Sequence, residues 1–330
     1  MKFKKLLVIL TVSTVLLSCT KEEKQQDFIL KGLVFGTTYK IVYLNSSINY
    51  QKSIDSLFYL VNKSTSTYLP TSDISKINKG ETDVKVDAIF IEVFNKSKRI
   101  FKETDGFFDP TVGNLVNAWG FGPKTGKKNL SDDEVKKQMQ FVGLDKVKIE
   151  NRIVIKEDSS IYLDFNSIAK GFGIDVIARF FNTKNIDNYL IEIGGEIRAN
   201  GFKKNNEPWV IKLVNPVKKD SENGFKKLNI SNKSMATSGN YRKFRIAEDG
   251  KKYVHTINPK TGYAKESNLL SASVIANLDC ADVDAYATAF MAMGLEKTKE
   301  FLKTHKNLHV ILLYVNNKGV INEFTTYTYN

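Results

Sequence analysis

The sequence predicts an α+β fold built on mostly antiparallel sheets with packed helices. Three observations support it. Short β-rich runs are joined by hairpin turns and separated by only occasional helical patterns. No GxGxxG follows the first strand, which argues against a doubly wound nucleotide-binding sheet. No period of 20–50 residues repeats, so a solenoid is excluded.

In chain order, Gly36–Leu44 reads as a strand, and 48–64 has helical spacing through Ile54, Leu57, Phe58 and Val61. Ala88–Thr104 is a second helix, with Phe90, Val93, Phe94, Ser97 and Phe101 on one stripe. Val147–Ile155 forms a hairpin turning at Glu150-Asn151, and Ile161–Phe165 is a further β stretch leading into a glycine-bearing helix. The predicted buried stripe of that helix is Ile168, Phe172, Val176 and Phe180. Tyr189–Ile193 and Glu196–Asn200 flank Gly194-Gly195, and Trp209–Val214 is a strand before Asn215-Pro216. Leu270–Ala276 precedes a small-residue helix. His309–Val315, the turn 316–319 and 320–327 close the chain as a hairpin.

The N-terminus is set apart from this fold. Lys2, Lys4 and Lys5 precede the apolar run Leu6–Leu17, which is too short to span a bilayer comfortably and ends in Leu16-Leu17-Ser18-Cys19. This resembles a bacterial lipobox and implies a signal peptide over residues 1–18 and lipidation of Cys19. Residues 19–27 are then a polar tether, and 28–330 the folded domain. The only other cysteine, Cys280, has no partner and is expected to be buried and inert. With 42% hydrophobic residues, including 21 Phe and 14 Tyr, the chain can bury a large core. The net charge is +13, and three of these charges, Lys2, Lys4 and Lys5, leave with the signal, which takes it to +10. The remaining lysines are scattered without the aromatic interleaving of a single-strand binder, so no nucleic-acid partner is expected. They suit anionic lipid or a phosphorylated ligand.

Four stretches could carry chemistry. In 282–294, Asp284 and Thr288 stand one helical turn apart and offer two hard oxygen ligands of the kind Mg²⁺ takes beside substrate phosphates. Equally, Asp284 could favour a helix N-terminus and Thr288 bond back to the chain. In 163–173 a strand runs into a helix start bearing Lys170, Gly171 and Gly173, a pattern suited to phosphate, although glycines near a helix start also serve packing. In 255–262, His255 is the one histidine nominated as a base, since His305 and His309 lack neighbouring motif residues; 235–241 beside it reads as a hydroxyl- and amide-rich turn. The aromatic- and glycine-rich 106–122 could form either a slot for a heteroaromatic ring or a packed core corner.

Taken in order, these stretches resemble the ApbE family of flavin transferases. The resemblance runs from Gly36-Thr37-Thr38-Tyr39 and Ser66-Thr67-Tyr68 through Phe108-Asp109-Pro110-Thr111-Val112-Gly113, Trp119-Gly120-Phe121-Gly122, Asp164–Gly171, Gly194-Gly195, Ser238-Gly239 and His255–Gly262 to Asp284–Thr288. It implies an ApbE-like, T-fold-like architecture. It further implies Mg²⁺ held by Asp284, Thr288 and the main-chain carbonyl of Ser167, and FAD contacts from Phe35, Tyr68, Phe107, Phe108, Asp109, Asp164, Lys170 and Ile257. The chain departs from the family pattern at Phe35 (usually Met), Asn258 and Asn240 (both usually Asp).

The implied reaction moves FMN from FAD to a threonine hydroxyl of a target redox protein and releases AMP, with His255 as the candidate base. An FAD pyrophosphatase would use the same residues with water as nucleophile, and a non-catalytic flavin-binding lipoprotein is a rival of another class. The implied partner is a subunit of a membrane redox complex. The implied location is a lipid anchor facing the periplasm, with the inner membrane favoured, although Thr20-Lys21-Glu22-Glu23 also resembles surface-export signals.

Overall fold

The computed structural model describes residues 25–123, 129–214, 225–239, 244–246, 252–254, 256–264 and 268–329. The chain forms strands β1 (Gln26–Val34) and β2 (Thr37–Ser46), then helices α1 (Gln51–Thr65), α2 (Asp73–Asn78), α3 (Ala88–Glu103), α4 (Gly113–Ala118) and α5 (Asp132–Met139). The small hairpin β3 (Val147–Glu150) and β4 (Ile153–Lys156) precedes α6 (Ala169–Thr183). Strands β5 (Tyr189–Ile193), β6 (Glu196–Asn200), β7 (Val210–Val214), β8 (Phe225–Asn229), β9 (Lys233–Gly239), β10 (Phe244–Ile246), β11 (Lys252–Val254) and β12 (Leu269–Ala276) follow. Helices α7 (Cys280–Met293) and α8 (Leu295–Leu302) and the hairpin β13 (His309–Val315) and β14 (Ile321–Thr325) complete it.

Eight strands make one antiparallel sheet in the order β1-β2-β5-β6-β9-β12-β13-β14. The expected α+β, antiparallel architecture is therefore present. Side chains alternate along each strand, so the sheet has two distinct faces. One face, with Tyr39, Ile41, Tyr43, Ile191, Ile193, Val274 and Leu312, packs against α1, α6 and α7 to form the main core. The other is covered in part by the β7–β8 ribbon, where Trp209, Leu228 and Ile230 meet Ile197, Met235, Ile275 and Tyr327. A third cluster gathers Leu115, Trp119, Val135, Val142, Ile257 and Ala264, and Trp119 Nε1 donates to the Gly262 carbonyl at 2.9 Å.

Several expectations are corrected. β1 was not expected, and it begins at Gln26, two residues before the anticipated domain start at Phe28. Its mixed apolar and polar run pairs with β2 across Phe35-Gly36, both at positive φ, as a tight two-residue hairpin requires. Ile161–Phe165 is an extended connection, bridged only from Tyr162 to Val112. The anticipated turn over 235–241 is instead the central strand β9 up to Gly239. Its Ser and Thr residues suggest a turn, but in a central strand they bond sideways to other elements. The α6 stripe is rotated: Phe172, Ile174, Ile177, Ala178 and Phe181 are buried, whereas Val176 and Phe180 are half-buried. The β3–β4 turn lies one residue later than expected, at Asn151-Arg152, again both at positive φ.

α7 is buried nearly all round, so its position is set by packing and by its N-terminus. Its own N-cap, Asp279, makes no side-chain cap. Asp175 of α6 does so from outside, accepting the N–H groups of Cys280 and Ala281, each at 2.8 Å. Arg198 of β6 holds the same carboxylate at 2.6 Å and Asp279 at 2.8 Å, while Lys96 and Arg179 also reach Asp279. Cys280 is fully buried, as expected, and burial raises its thiol pKa. Asp175→Ala would leave two helix N–H groups and Arg198 without their buried partner. We expect a loss of about 3–5 kcal/mol by chemical denaturation, with Asp175→Asn, which keeps an acceptor oxygen, losing less.

Candidate active site

The connection into α6 is held by side chains from distant parts of the chain. Asn78 both donates to and accepts from the Leu163 backbone at 2.8 Å. The Asp164 N–H donates to the Pro110 carbonyl at 2.8 Å, and Asn166 Nδ2 reaches Thr67 Oγ1 at 3.0 Å. Asp164 is buried and turns back to accept the Asn166 N–H at 2.8 Å. Burial pushes its carboxyl up to about 6, against the opposing pull of the Asn166 hydrogen bonds. Ser167, half-buried, occupies the turn immediately before α6.

At the start of α6 the helix comes into direct backbone contact with α7. A Cβ on Gly171 would lie 2.4 Å from the Cys280 carbonyl oxygen, so only glycine permits this approach. The Gly171 N–H donates to Asp284 Oδ2 at 3.1 Å. Lys170 Nζ stands 3.8 Å from the same oxygen and 3.4 Å from Glu196 Oε1. Glu196 follows the Gly194-Gly195 turn, whose residues both have positive φ, and its Oε2 is buried with no hydrogen-bond partner. Burial pushes the Glu196 carboxyl up to about 8; Lys170 opposes this and the Asp284 charge adds to it. Burial likewise raises Asp284, against Lys170 and the Gly171 hydrogen bond. Burial alone would lower the Lys170 pKa, but Asp284 and Glu196 outweigh it and keep the ammonium charged.

Thr288 lies one turn beyond Asp284, half-buried, with its Oγ1 3.2 Å from Ser238 Oγ of β9. Neighbouring Thr237 points to the opposite face, where it pairs with Ser273 at 2.8 Å. Lys170, Asp284 and Thr288 are therefore brought together by α6, α7 and β9. Glu196, Asn78 and Asp175 were not singled out from sequence, and Thr67 was named only within the stretch Ser66-Thr67-Tyr68. Glu196 carried a signal of its own, standing directly after a paired glycine turn.

The residues expected to contact flavin lie in different environments. Phe35 sits at positive φ in the β1–β2 turn, and a Cβ on Gly173 of α6 would come within 2.5 Å of its ring. Tyr68 is 60% exposed, and its pKa is raised by burial of the hydroxyl and by the Asp164 charge. Phe107 is buried with Lys297 Nζ 4.7 Å above its ring. Phe108 and Trp119 are each 1% exposed, so this part of 106–122 is a packed core corner. Ile257 is buried in the Trp119 cluster. Asp109 accepts from Thr111 N–H at 2.8 Å and Thr111 Oγ1 at 2.6 Å, and Thr111 in turn accepts from the Gly143 N–H. His255 and Cys19 lie outside the described residues, as does Asn240.

The model of the ApbE family matches residues 35–312. The chain is 34% identical over 320 residues to a protein of Haemophilus influenzae named FAD:protein FMN transferase, covering 93% of this chain and 91% of that one. A Vibrio cholerae protein of the same name is 34% identical over 299 residues, 88% of each chain. The solved structure of the flavin transferase ApbE from Vibrio cholerae superposes with a TM-score of 0.82 at 31% identity, covering 93% of this chain and 99% of that one. The apo flavinyl transferase ApbE of Pseudomonas stutzeri gives a TM-score of 0.82 at 25% identity, with 92% and 95% covered.

The site's buried carboxyls give a pH signature. Burial raises Asp109 to about 6, opposed by the Thr111 hydrogen bonds. A raised carboxyl binds its proton more tightly in the folded state, so its ionisation costs stability as pH rises from about 4 through 6. Asp109→Asn removes that titration while keeping an acceptor for Thr111. Relative to the parent protein, the variant should gain roughly 1–3 kcal/mol of stability between pH 4 and pH 7.5, measured by urea denaturation at each pH. A difference independent of pH would contradict the assignment.

Proposed function

The chain belongs to the ApbE family, and from that premise we propose that it is a flavin transferase that moves FMN from FAD to a threonine hydroxyl of a partner protein, releasing AMP. The observation that carries this reading is the cluster of half-buried Lys170 with buried Asp284 and Glu196 at the start of α6, with Thr288 one turn along α7.

The residues present fit Mg²⁺. With both carboxylates ionised the cluster has one more negative than positive charge, and Glu196 Oε2 is buried without a partner. The oxygens of Asp284 and Thr288 and the main-chain carbonyl of Ser167 are the hard donors such a cation takes, substrate oxygens and water supplying the rest. Bound there, the ion would neutralise charge on the pyrophosphate and on the departing AMP.

The chain's own residues supply the remaining chemistry. Lys170 adds a fixed positive charge at a helix N-terminus, where phosphate oxygens are favoured. Its two carboxylate neighbours keep it charged and limit its rotamers. Phe35, fixed over Gly173 at the same end of α6, and Tyr68, near Asp164, supply aromatic surface for the flavin end. In the transfer, the threonine oxygen bonds to the FMN-side phosphorus and the bond from that phosphorus to the AMP oxygen breaks. The hydroxyl proton passes to a base, for which we propose His255. The acceptor threonine must be presented on a segment able to reach α6 and α7. We further propose that Cys19 carries the lipid anchor and that the protein faces the periplasm, its acceptor being a subunit of a membrane redox complex. Among the described residues no helix is long and apolar enough to cross a membrane.

The direct test is intact-mass analysis of a threonine-bearing acceptor after incubation with protein, FAD and Mg²⁺. An FMN adduct is expected; free FMN and AMP without an adduct would identify water as the nucleophile. Asp284→Ala should abolish adduct formation while the circular dichroism spectrum stays native, and Thr288→Val should raise the Mg²⁺ concentration giving half-maximal rate. Unchanged Mg²⁺ dependence in folded Asp284→Ala would sink the metal assignment.

Lys170→Ala tests the phosphate contact separately. Loss of one charge-assisted hydrogen bond, worth about 1.5–3 kcal/mol, should weaken FAD binding roughly 10- to 100-fold per folded molecule by calorimetry. Unchanged affinity alongside lowered thermal stability would make Lys170 a purely structural neutraliser of Asp284 and Glu196.

A further inference from the structure

The edge of the main sheet presents a surface that the transfer reaction does not use. β1 is the terminal strand, and alternate residues on its outer face are Ile29, Lys31 and Leu33. Ile29 is 60% exposed and Leu33 82% exposed, two apolar side chains on one face of one strand. The antiparallel register places Lys31 directly opposite Lys40 of β2, both exposed. Like charges directly across a strand pair are destabilising. Among the described residues neither lysine is within ion-pair distance of a carboxylate; on its other side Lys40 stands opposite Glu192 of β5, whose carboxylate accepts the Gly195 N–H. A lysine on an edge strand also discourages strand-to-strand aggregation. That role would not call for exposed Ile29 and Leu33 on the same face.

From these observations we propose that the outer face of β1 and β2 lies against the anionic headgroup layer of a bilayer. Ile29 and Leu33 enter the interface, and Lys31 and Lys40 meet lipid phosphates. The proposal rests on the lipid anchor read at Cys19. Gln26, where β1 begins, lies seven residue steps beyond Cys19, a reach of at most about 25 Å. The anchor therefore delivers this edge to the membrane before any other part of the sheet. Apolar side chains interleaved with lysines are the chemistry that binds an anionic interface, the chains entering it and the ammonium groups meeting the phosphates. Held this way, the protein has a defined orientation on the membrane.

The test uses the full lipidated chain on vesicles of phosphatidylcholine with or without phosphatidylglycerol. An environment-sensitive thiol probe is placed by Leu33→Cys or, as control, by Val320→Cys, at an exposed turn by the opposite edge of the sheet; Cys280 is buried. Brominated lipid should quench the probe at position 33 on anionic vesicles and leave that at position 320 unquenched. Lys31→Glu with Lys40→Glu should remove the quenching while the protein still co-floats with the vesicles through its lipid. Equal quenching at the two positions, or none in protein that co-floats, overturns the proposal and leaves the anchor standing. Concentration-dependent protection of the position-33 probe without vesicles also overturns it, because a second copy then covers the face. If the chain does not co-float at all, the anchor fails and the proposal falls with it.

Discussion

The mutual capping of α6 and α7 is the constraint on which the rest of the site depends. Each helix start is satisfied by a carboxylate of the other: Asp284 of α7 accepts the Gly171 N–H, and Asp175 of α6 accepts the Cys280 and Ala281 N–H groups. The two helix starts can meet only because Gly171 has no side chain to strike the Cys280 carbonyl. Free N–H groups at a helix start carry partial positive charge, so a carboxylate from a neighbouring helix is favoured in both directions. Asp284 is thus fixed in place before any ligand arrives.

This arrangement accepts an electrostatic cost at the site. Asp284 and Glu196 are buried near each other, and the carboxyl pKa of each is raised. Lys170 relieves part of the strain between them, but one buried oxygen of Glu196 finds no partner. In the network around Asp279 the balance at that carboxylate is reversed, although burial and the Asp279 charge still raise its neighbour Asp175 to about 6. Asp279 is held well below the usual carboxylate range: burial alone would raise its pKa, but its hydrogen bonds to Lys96 and Arg198 and their charges outweigh that. The contrast separates a network that holds structure from a cluster that still has bonding capacity to give to a ligand.

Strand alternation in β9 divides labour between the two faces of the sheet. Ser238 points toward Thr288 and the site, whereas Thr237 joins Ser273 on the far side, lining a cavity of about 260 Å³ under the β7–β8 ribbon with Glu192 and Ser271. The helix-bearing face positions the chemistry. The outer face carries the β7–β8 ribbon and, toward the β1 edge, exposes Ile29, Lys31, Leu33 and Lys40.

By itself the sequence determined the α+β class, most of the strands and helices, and the family, because hydrophobic period and turn chemistry are local signals. It also singled out Lys170, Asp284 and Thr288, since a glycine-bearing helix start and an i, i+4 pair of oxygen side chains are legible over a few residues. Only the tertiary structure decided that β9 is a central strand, because Ser and Thr suit a turn as well as a strand bonded sideways to Thr288 and Ser273. It alone showed Phe108 as core and Glu196 as a member of the charged cluster, since burial and the meeting of β6 with α6 and α7 depend on contacts between distant parts of the chain. The strand β1 was missed because its polar start blends into the tether, and it is held as a strand by pairing with β2. Asp175 was invisible for the same reason: a carboxylate that caps another helix, more than 100 residues away, carries no mark in its own neighbourhood.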